Sequence, residues 1–314
     1  MKTLNKITLG LMLISLSCFN IKSQPKSEIT NDNETSINWA EADTLYTFRL
    51  NEQTKGWEYF QREIRKFENN LPIENFVQIR TNNQWQNYLR ANYSYNNKGD
   101  EISEIIQEWD TINNNWVNAK QKTSTYKRGK REEILFQEWK YPTNKWFNIM
   151  KYLINYNNSG NENTIIISLF NGVTNQWDNY KKFQMFFDAE NIPPSKVITE
   201  SWANQNWRTD GKYIMEYNWH GDKTLEIRHT WNYSKKDWIK AIMHNMKYDK
   251  KGNQTEFIEQ KYDNKTNNWI YFNKISALYN QKGYMTEKTE YKWNRTTKNW
   301  DIKGQFKFTS DSKI

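Results

Sequence analysis

Cysteine is all but missing from this chain of 314 residues: Cys18 is the only one. That excludes a disulfide framework and a Cys-based zinc site, and a thiol nucleophile too once an N-terminal leader is removed. Histidine is nearly as scarce, with three residues, His220, His229 and His244. They lack ligand spacing such as His-x-x-x-His, so no metal is expected. No nucleophile elbow, phosphate loop or dinucleotide fingerprint occurs, so no catalytic residue and no cofactor are expected. Carboxylates recur in every unit of the repeat described below, where an acid/base pair should occupy one special place. Aliphatic residues are also sparse, and mean hydropathy is −1.05. What is present is aromatic: 16 Trp, 19 Tyr and 15 Phe, which together with abundant Asn, Thr and Lys favour strands and turns over helices.

The one long apolar run, Ile7 to Leu16, follows Lys2 and Lys6 and is too short to span a bilayer. It reads as an export signal over residues 1–23, with cleavage before Gln24, followed by a polar linker over 24–43. Ser15 stands three positions before Cys18, where a lipidated cysteine expects an apolar residue, which argues against a lipid anchor there. The mature chain is expected to carry no transmembrane segment and to be periplasmic, outer-membrane associated or extracellular. Its formal charge of +9 falls by three with Lys2, Lys6 and Lys22, and the remainder is dispersed, which makes a nucleic-acid partner unlikely.

From residue 44 to 314 the chain repeats. Trp57, Trp85, Trp116, Trp146, Trp177, Trp207, Trp238, Trp269 and Trp300 follow one another at about 31-residue intervals, marking nine units. An aromatic stands ten positions later in most units, as in Tyr95, Tyr126, Tyr156, Tyr217, Tyr248 and Tyr279. Strict alternation along a strand would put it on the same face as the Trp. Next comes a turn with Asn or Asp first and Gly fourth, such as Asn96-Asn97-Lys98-Gly99 and Asp249-Lys250-Lys251-Gly252. This is the signature of a type I turn closed by a residue at positive φ. The returning strand ends in a second aromatic seven residues before the next Trp, for example Trp109 before Trp116, so a further hairpin should set the two rings opposite each other. One unit is irregular: Pro193 and Pro194 open its returning strand, and Trp202 stands five residues before Trp207.

The expected fold is all-β, an antiparallel up-and-down meander of about 18 strands. Because a sheet that wide does not stay flat, it is expected to coil into a superhelical, solenoid-like body. A β-propeller is the alternative.

The phrase Tyr248-Asp249-Lys250-Lys251-Gly252-Asn253 resembles the YD repeats of RHS-type proteins. The whole unit resembles the Trp- and Asn-rich repeats of secreted proteins of Bacteroidetes type. The resemblance implies an exported or surface-attached protein and supplies no catalytic residues.

On these grounds the chain is expected to be a non-catalytic exported repeat scaffold mediating protein–protein or cell-surface interaction. The alternative is a glycan-binding module using exposed aromatics, with a protein or a cell-surface polysaccharide as partner in either case. Trp219 and His220 are the candidate ligand-binding residues, because Trp219 occupies a turn position filled elsewhere by Asn, Lys or Gln. Packing on a neighbouring turn is the plainer explanation for that Trp. Glu104, Glu133, Glu226, Glu256 and Glu287 recur just past the turns and are expected to be solvated charges facing Lys across the sheet.

Overall fold

The structure, a computed structural model, describes residues 44–309 except 52 and 189–192. The expected leader, the linker and Cys18 lie outside the described residues. Eighteen strands follow in order: β1 (Thr44–Leu50), β2 (Trp57–Glu68), β3 (Leu71–Thr81), β4 (Gln84–Tyr95), β5 (Glu101–Asp110), β6 (Asn115–Lys127), β7 (Lys130–Lys140), β8 (Lys145–Tyr156) and β9 (Glu162–Asn171); then β10 (Gln176–Phe186), β11 (Lys196–Ala203), β12 (Asn206–Tyr217), β13 (Lys223–Asn232), β14 (Asp237–Tyr248), β15 (Gln254–Asp263), β16 (Asn268–Tyr279), β17 (Met285–Asn294) and β18 (Asn299–Thr309). Each pairs antiparallel with its neighbours in sequence, the meander read from the repeat.

The sheet does not coil as an open superhelix. It closes into a barrel, because β18 pairs with β1 through Tyr46–Thr309, Thr47–Phe308, Phe48–Lys307 and Arg49–Phe306. A coil would leave two strand edges with unpaired N–H and C=O groups, and closure removes both. The seam is also a unit of the repeat: β18 is an outgoing strand without its own return, and β1 is a returning strand without its own start.

The turns form as their residues dictate. Gly99, Gly160, Gly221, Gly252 and Gly283 have φ between 79° and 88°. In the first of these, the Gly99 amide donates to the Asn96 carbonyl, while the Asn96 side-chain oxygen accepts from the amides of Lys98 and Asp100. Asn69-Asn70, Asn82-Asn83, Arg128-Gly129 and Asn204-Gln205 make two-residue turns with both central φ positive, the hairpin-matched mirror type. We expect Gly252→Ala to lower stability by about 1–2 kcal/mol, the cost of holding a Cβ in the left-handed region, whereas Lys250→Ala in the same turn should be near neutral. Chemical denaturation midpoints of the two variants check this.

A bulge in each outgoing strand separates the Trp from the face of the aromatic ten positions later. Gln137 pairs with Asn148 and Phe136 pairs with Met150, leaving Ile149 as an extra residue. Since Gln137 and Phe136 are consecutive in a regular strand, Asn148 and Met150 point to opposite faces. The same bulge stands three residues after every repeat Trp, at Phe60, Tyr88, Ala119, Ile149, Tyr180, Asp210, Ala241, Phe272 and Lys303. Alternation is thus shifted by one between the Trp and the aromatic ten positions later, and the two lie on opposite faces. The barrel has a tryptophan face and a tyrosine face.

On the tyrosine face six tyrosines tie their units to the preceding strand. Their hydroxyls donate to backbone carbonyls: Tyr95 to Pro72, Tyr126 to Glu101, Tyr156 to Arg131, Tyr217 to Pro194, Tyr248 to Lys223 and Tyr279 to Gln254, at 2.8–3.0 Å. Burial pushes the Tyr217 and Tyr248 hydroxyls up to about 12, which keeps them protonated as donors. The best-buried apolar cluster occupies the same face across β7–β11, with Ile134, Phe136, Tyr152, Ile154, Ile165, Ile167, Met185 and Val197.

Candidate functional site

The tryptophan face carries a stripe of indoles round the whole ring. Seven of the nine hairpins at that end bring two rings together edge to face, among them Trp109–Trp116, Trp139–Trp146, Trp202–Trp207, Trp231–Trp238 and Trp293–Trp300, with centroids 5.0–5.1 Å apart; Leu50 and Arg80 stand opposite Trp57 and Trp85 in the other two. The irregular unit makes the same pair through a two-residue turn instead of a four-residue one. Cations from the neighbouring unit cover six of the repeat indoles: Arg62 over Trp85, Arg90 over Trp116, Lys151 over Trp177, Lys182 over Trp207, Lys212 over Trp238 and Lys274 over Trp300, all within 4.8–5.3 Å. Lys307 covers Trp57 in the same manner across the seam. The long side chains lie where alternation sends them once the bulge has shifted it. Polar ladders run alongside, Arg62 to Gln78 to Asn87 and Arg90 to Gln107 to Asn118. The stripe is therefore paired and capped rather than an open row of aromatic platforms.

A hollow of about 620 Å³ lies beside it near the shortened β11–β12 hairpin, lined by Ile198, Arg208, Thr209, Trp231, Tyr233 and Trp238. The Tyr233 hydroxyl reaches across to the Thr209 carbonyl at 2.7 Å. That volume is within the range of small-ligand sites. In the sequence, the only trace of the hollow is the five-residue spacing between Trp202 and Trp207.

Trp219 and His220 are not part of it. They form the turn at the opposite end of the β12–β13 hairpin, with Trp219 88% exposed. The indole does not pack on a neighbouring turn; its ring partner is His220, with centroids 3.2 Å apart. The Asn218 side chain, accepting from the amides of His220 and Asp222, fixes the turn and leaves the indole projecting.

Charged groups on the tyrosine face are mutually satisfied. Glu104 meets Lys122 at 2.9 Å there, and on the opposite, tryptophan face Glu256 meets Lys247 at 2.8 Å, the cross-sheet pairing expected of these glutamates. Glu226 departs from the expectation of solvated charges: it is 6% exposed and enclosed by Lys223, Arg228 and His244 at 2.5, 2.7 and 3.5 Å. Burial pushes its carboxyl up, but the hydrogen bond from His244 and the positive charges of Lys223 and Arg228 outweigh burial and hold it well below the usual carboxylate range. Asp210, at a bulge position, accepts from Lys181, Ser201 and Thr199. Burial raises its carboxyl, and those hydrogen bonds more than offset the rise, so it stays anionic with its lone pairs occupied. The histidines are held apart: His244 against Glu226, His229 in a strand register between Lys212 and Lys240, and His220 in its turn.

No family model matches the chain, and no curated protein matches it. Solved structures give distant likenesses. A porin-like protein from Bacteroides uniformis is 7% identical with a TM-score of 0.39, over 85% of this chain and 96% of that one. A DUF3836 family protein from Bacteroides vulgatus is 16% identical with a TM-score of 0.27, over 28% of this chain and 90% of that one. The TcdB2-TccC3-TEV structure is 11% identical with a TM-score of 0.28, and the match takes in 78% of this chain but 15% of that one.

Proposed function

We propose that the protein is a non-catalytic, exported scaffold that presents its repeat surface to another protein at the cell surface. The observation that carries this reading is the capped tryptophan stripe. Seven of the nine repeat indoles, which would serve as stacking platforms, already carry Arg or Lys over one face, and the paired rings brace adjacent strands. Such an arrangement stiffens a wall and leaves its polar exterior for contact, as repeat arrays commonly do. Export is supported by the basic residues and apolar run ahead of a chain whose single Cys lies in that leader. The test is chemical cross-linking of the tagged protein in a cell-envelope fraction, followed by a binding measurement with each captured protein in purified form. Saturable binding to one of them supports the scaffold; its absence across the captured set defeats it.

Glycan binding is the second reading, favoured by the hollow over Trp231 and Trp238 and by the projecting Trp219. A glycan array separates the two. A hit abolished by Trp238→Ala would place a sugar in the hollow, and one abolished by Trp219→Ala would place it at the far turn.

A further inference from the structure

The meander puts every hairpin that precedes a repeat Trp at one end of the barrel, and these tips are sorted around the rim. Three consecutive ones, at 111–114, 141–144 and 172–175, contain no charged residue, and each lifts an apolar side chain clear of the protein: Ile112 is 87% exposed, Tyr141 84% and Val173 96%. Farther round, three other consecutive tips at 233–236, 264–267 and 295–298 carry Lys235, Lys236, Lys265, Arg295 and Lys298, all exposed, and no acid. The carboxylates flanking them are turned into their own loops. Asp263 accepts from the Lys265 amide and the Thr266 hydroxyl, and Asp237 from the Trp238 amide. On one side the two-residue turn Asn204-Gln205 separates the apolar arc from the cationic one, and on the other the β1–β2 tip, with Lys55, and the two-residue turn Asn82-Asn83 do.

We propose that this rim docks on an anionic lipid surface, with the apolar tips entering the interface and the cationic tips held against the headgroups. Three features favour a bilayer over a protein cleft. The tips are isolated points rather than a continuous patch. Neighbouring tips stand about 10 Å apart, two strand spacings, so the apolar arc spans roughly 20 Å. All of them belong to the one rim of a closed ring, so they can meet an extended surface together. Apolar insertion combined with cationic attraction is the chemistry by which peripheral proteins hold anionic membranes. This surface rests on the reading of the protein as an exported, surface-acting scaffold, and it assigns the contact that keeps it there.

The test is flotation of the full chain with phosphatidylcholine vesicles and with vesicles containing about one-third phosphatidylglycerol. Binding to the anionic vesicles should exceed binding to the neutral ones and weaken with added salt. Ile112→Ser, Tyr141→Ser and Val173→Ser combined should reduce it at least tenfold. Lys235→Ala, Lys236→Ala, Lys265→Ala, Arg295→Ala and Lys298→Ala combined should erase the salt dependence, while Lys250→Ala with Lys251→Ala at the opposite rim should change nothing. Carrying the same Leu11→Asp, Leu13→Asp change in the N-terminal apolar run of every protein compared removes that run's own contribution, and matched thermal melts check that the turn substitutions leave the fold intact. Binding that the apolar-tip variant retains in full overturns the proposal. So does a concentration-dependent dimer in sedimentation velocity that the same variant abolishes, since a second copy would then be the occupant. Loss of lipid binding with an intact protein partner defeats the rim and spares the scaffold.

Discussion

Phe48→Ala is expected to cost about 3–5 kcal/mol and to open the barrel at its seam. Phe48 is 4% exposed, packs on the Tyr59 ring with centroids 4.4 Å apart, and pairs with Tyr59 on one side and Lys307 on the other. It therefore holds β1 between β2 and β18. In an open coil β1 would be a terminal strand, and trimming its side chain would fray that end alone. In a closed ring, the loss exposes the edges of both β2 and β18. Amide hydrogen exchange should show protection falling first in β1, β2 and β18 while the cluster around Phe136 and Tyr152 stays protected. Fraying confined to β1, with β18 unaffected, would contradict closure.

Glu226→Gln should be the next most damaging substitution, at about 2–3 kcal/mol near neutral pH. It leaves Lys223 and Arg228 beside a neutral amide in a site that water hardly reaches, although both cations keep a partly exposed side that softens the loss. The effect should also depend on pH. The folded-state carboxyl is held below its ordinary value of 4.5, so the unfolded chain binds the proton more readily. Its contribution is fully present above about pH 4.5 and declines as acid drives protonation. The difference between the parent and Glu226→Gln in denaturation midpoint should hold from pH 7 to 5 and narrow below 4.5. A gap that widened in acid would mean that the carboxylate is not stabilised by its three neighbours.

Much of the barrel could be read from residue order. The recurring Trp marked the outgoing strands, the Asn or Asp to Gly phrase marked the tight turns, and the seven-residue separation of Trp109 and Trp116 foretold their contact, because each is a local instruction acting within one hairpin. The shared face of Trp and Tyr could not be inferred correctly. A bulge changes alternation by one residue, and the bulge positions carry Phe, Tyr, Ala, Ile, Asp or Lys with no common chemistry to announce them. Glu226 looked like its repeat equivalents, and only the folding of His244 and Arg228 around it made it a buried anion. Trp219 was recognisable as unusual, but its exposure depended on what neighbouring turns offered to cover it.

By itself, then, the sequence determined the strand count, the direction reversals and the aromatic pairs, since these follow from turn propensity and spacing within about thirty residues. The tertiary structure alone decided closure, the division into two faces and the hollow beside the shortened hairpin. Pairing β1 with β18 joins residues more than 250 apart in the chain, and no periodic signal distinguishes a ring from a coil when each unit contacts only its neighbours. At the seam the last edge meets the first with the tryptophan faces continuous, so that Lys307 lies over Trp57 as Lys212 lies over Trp238.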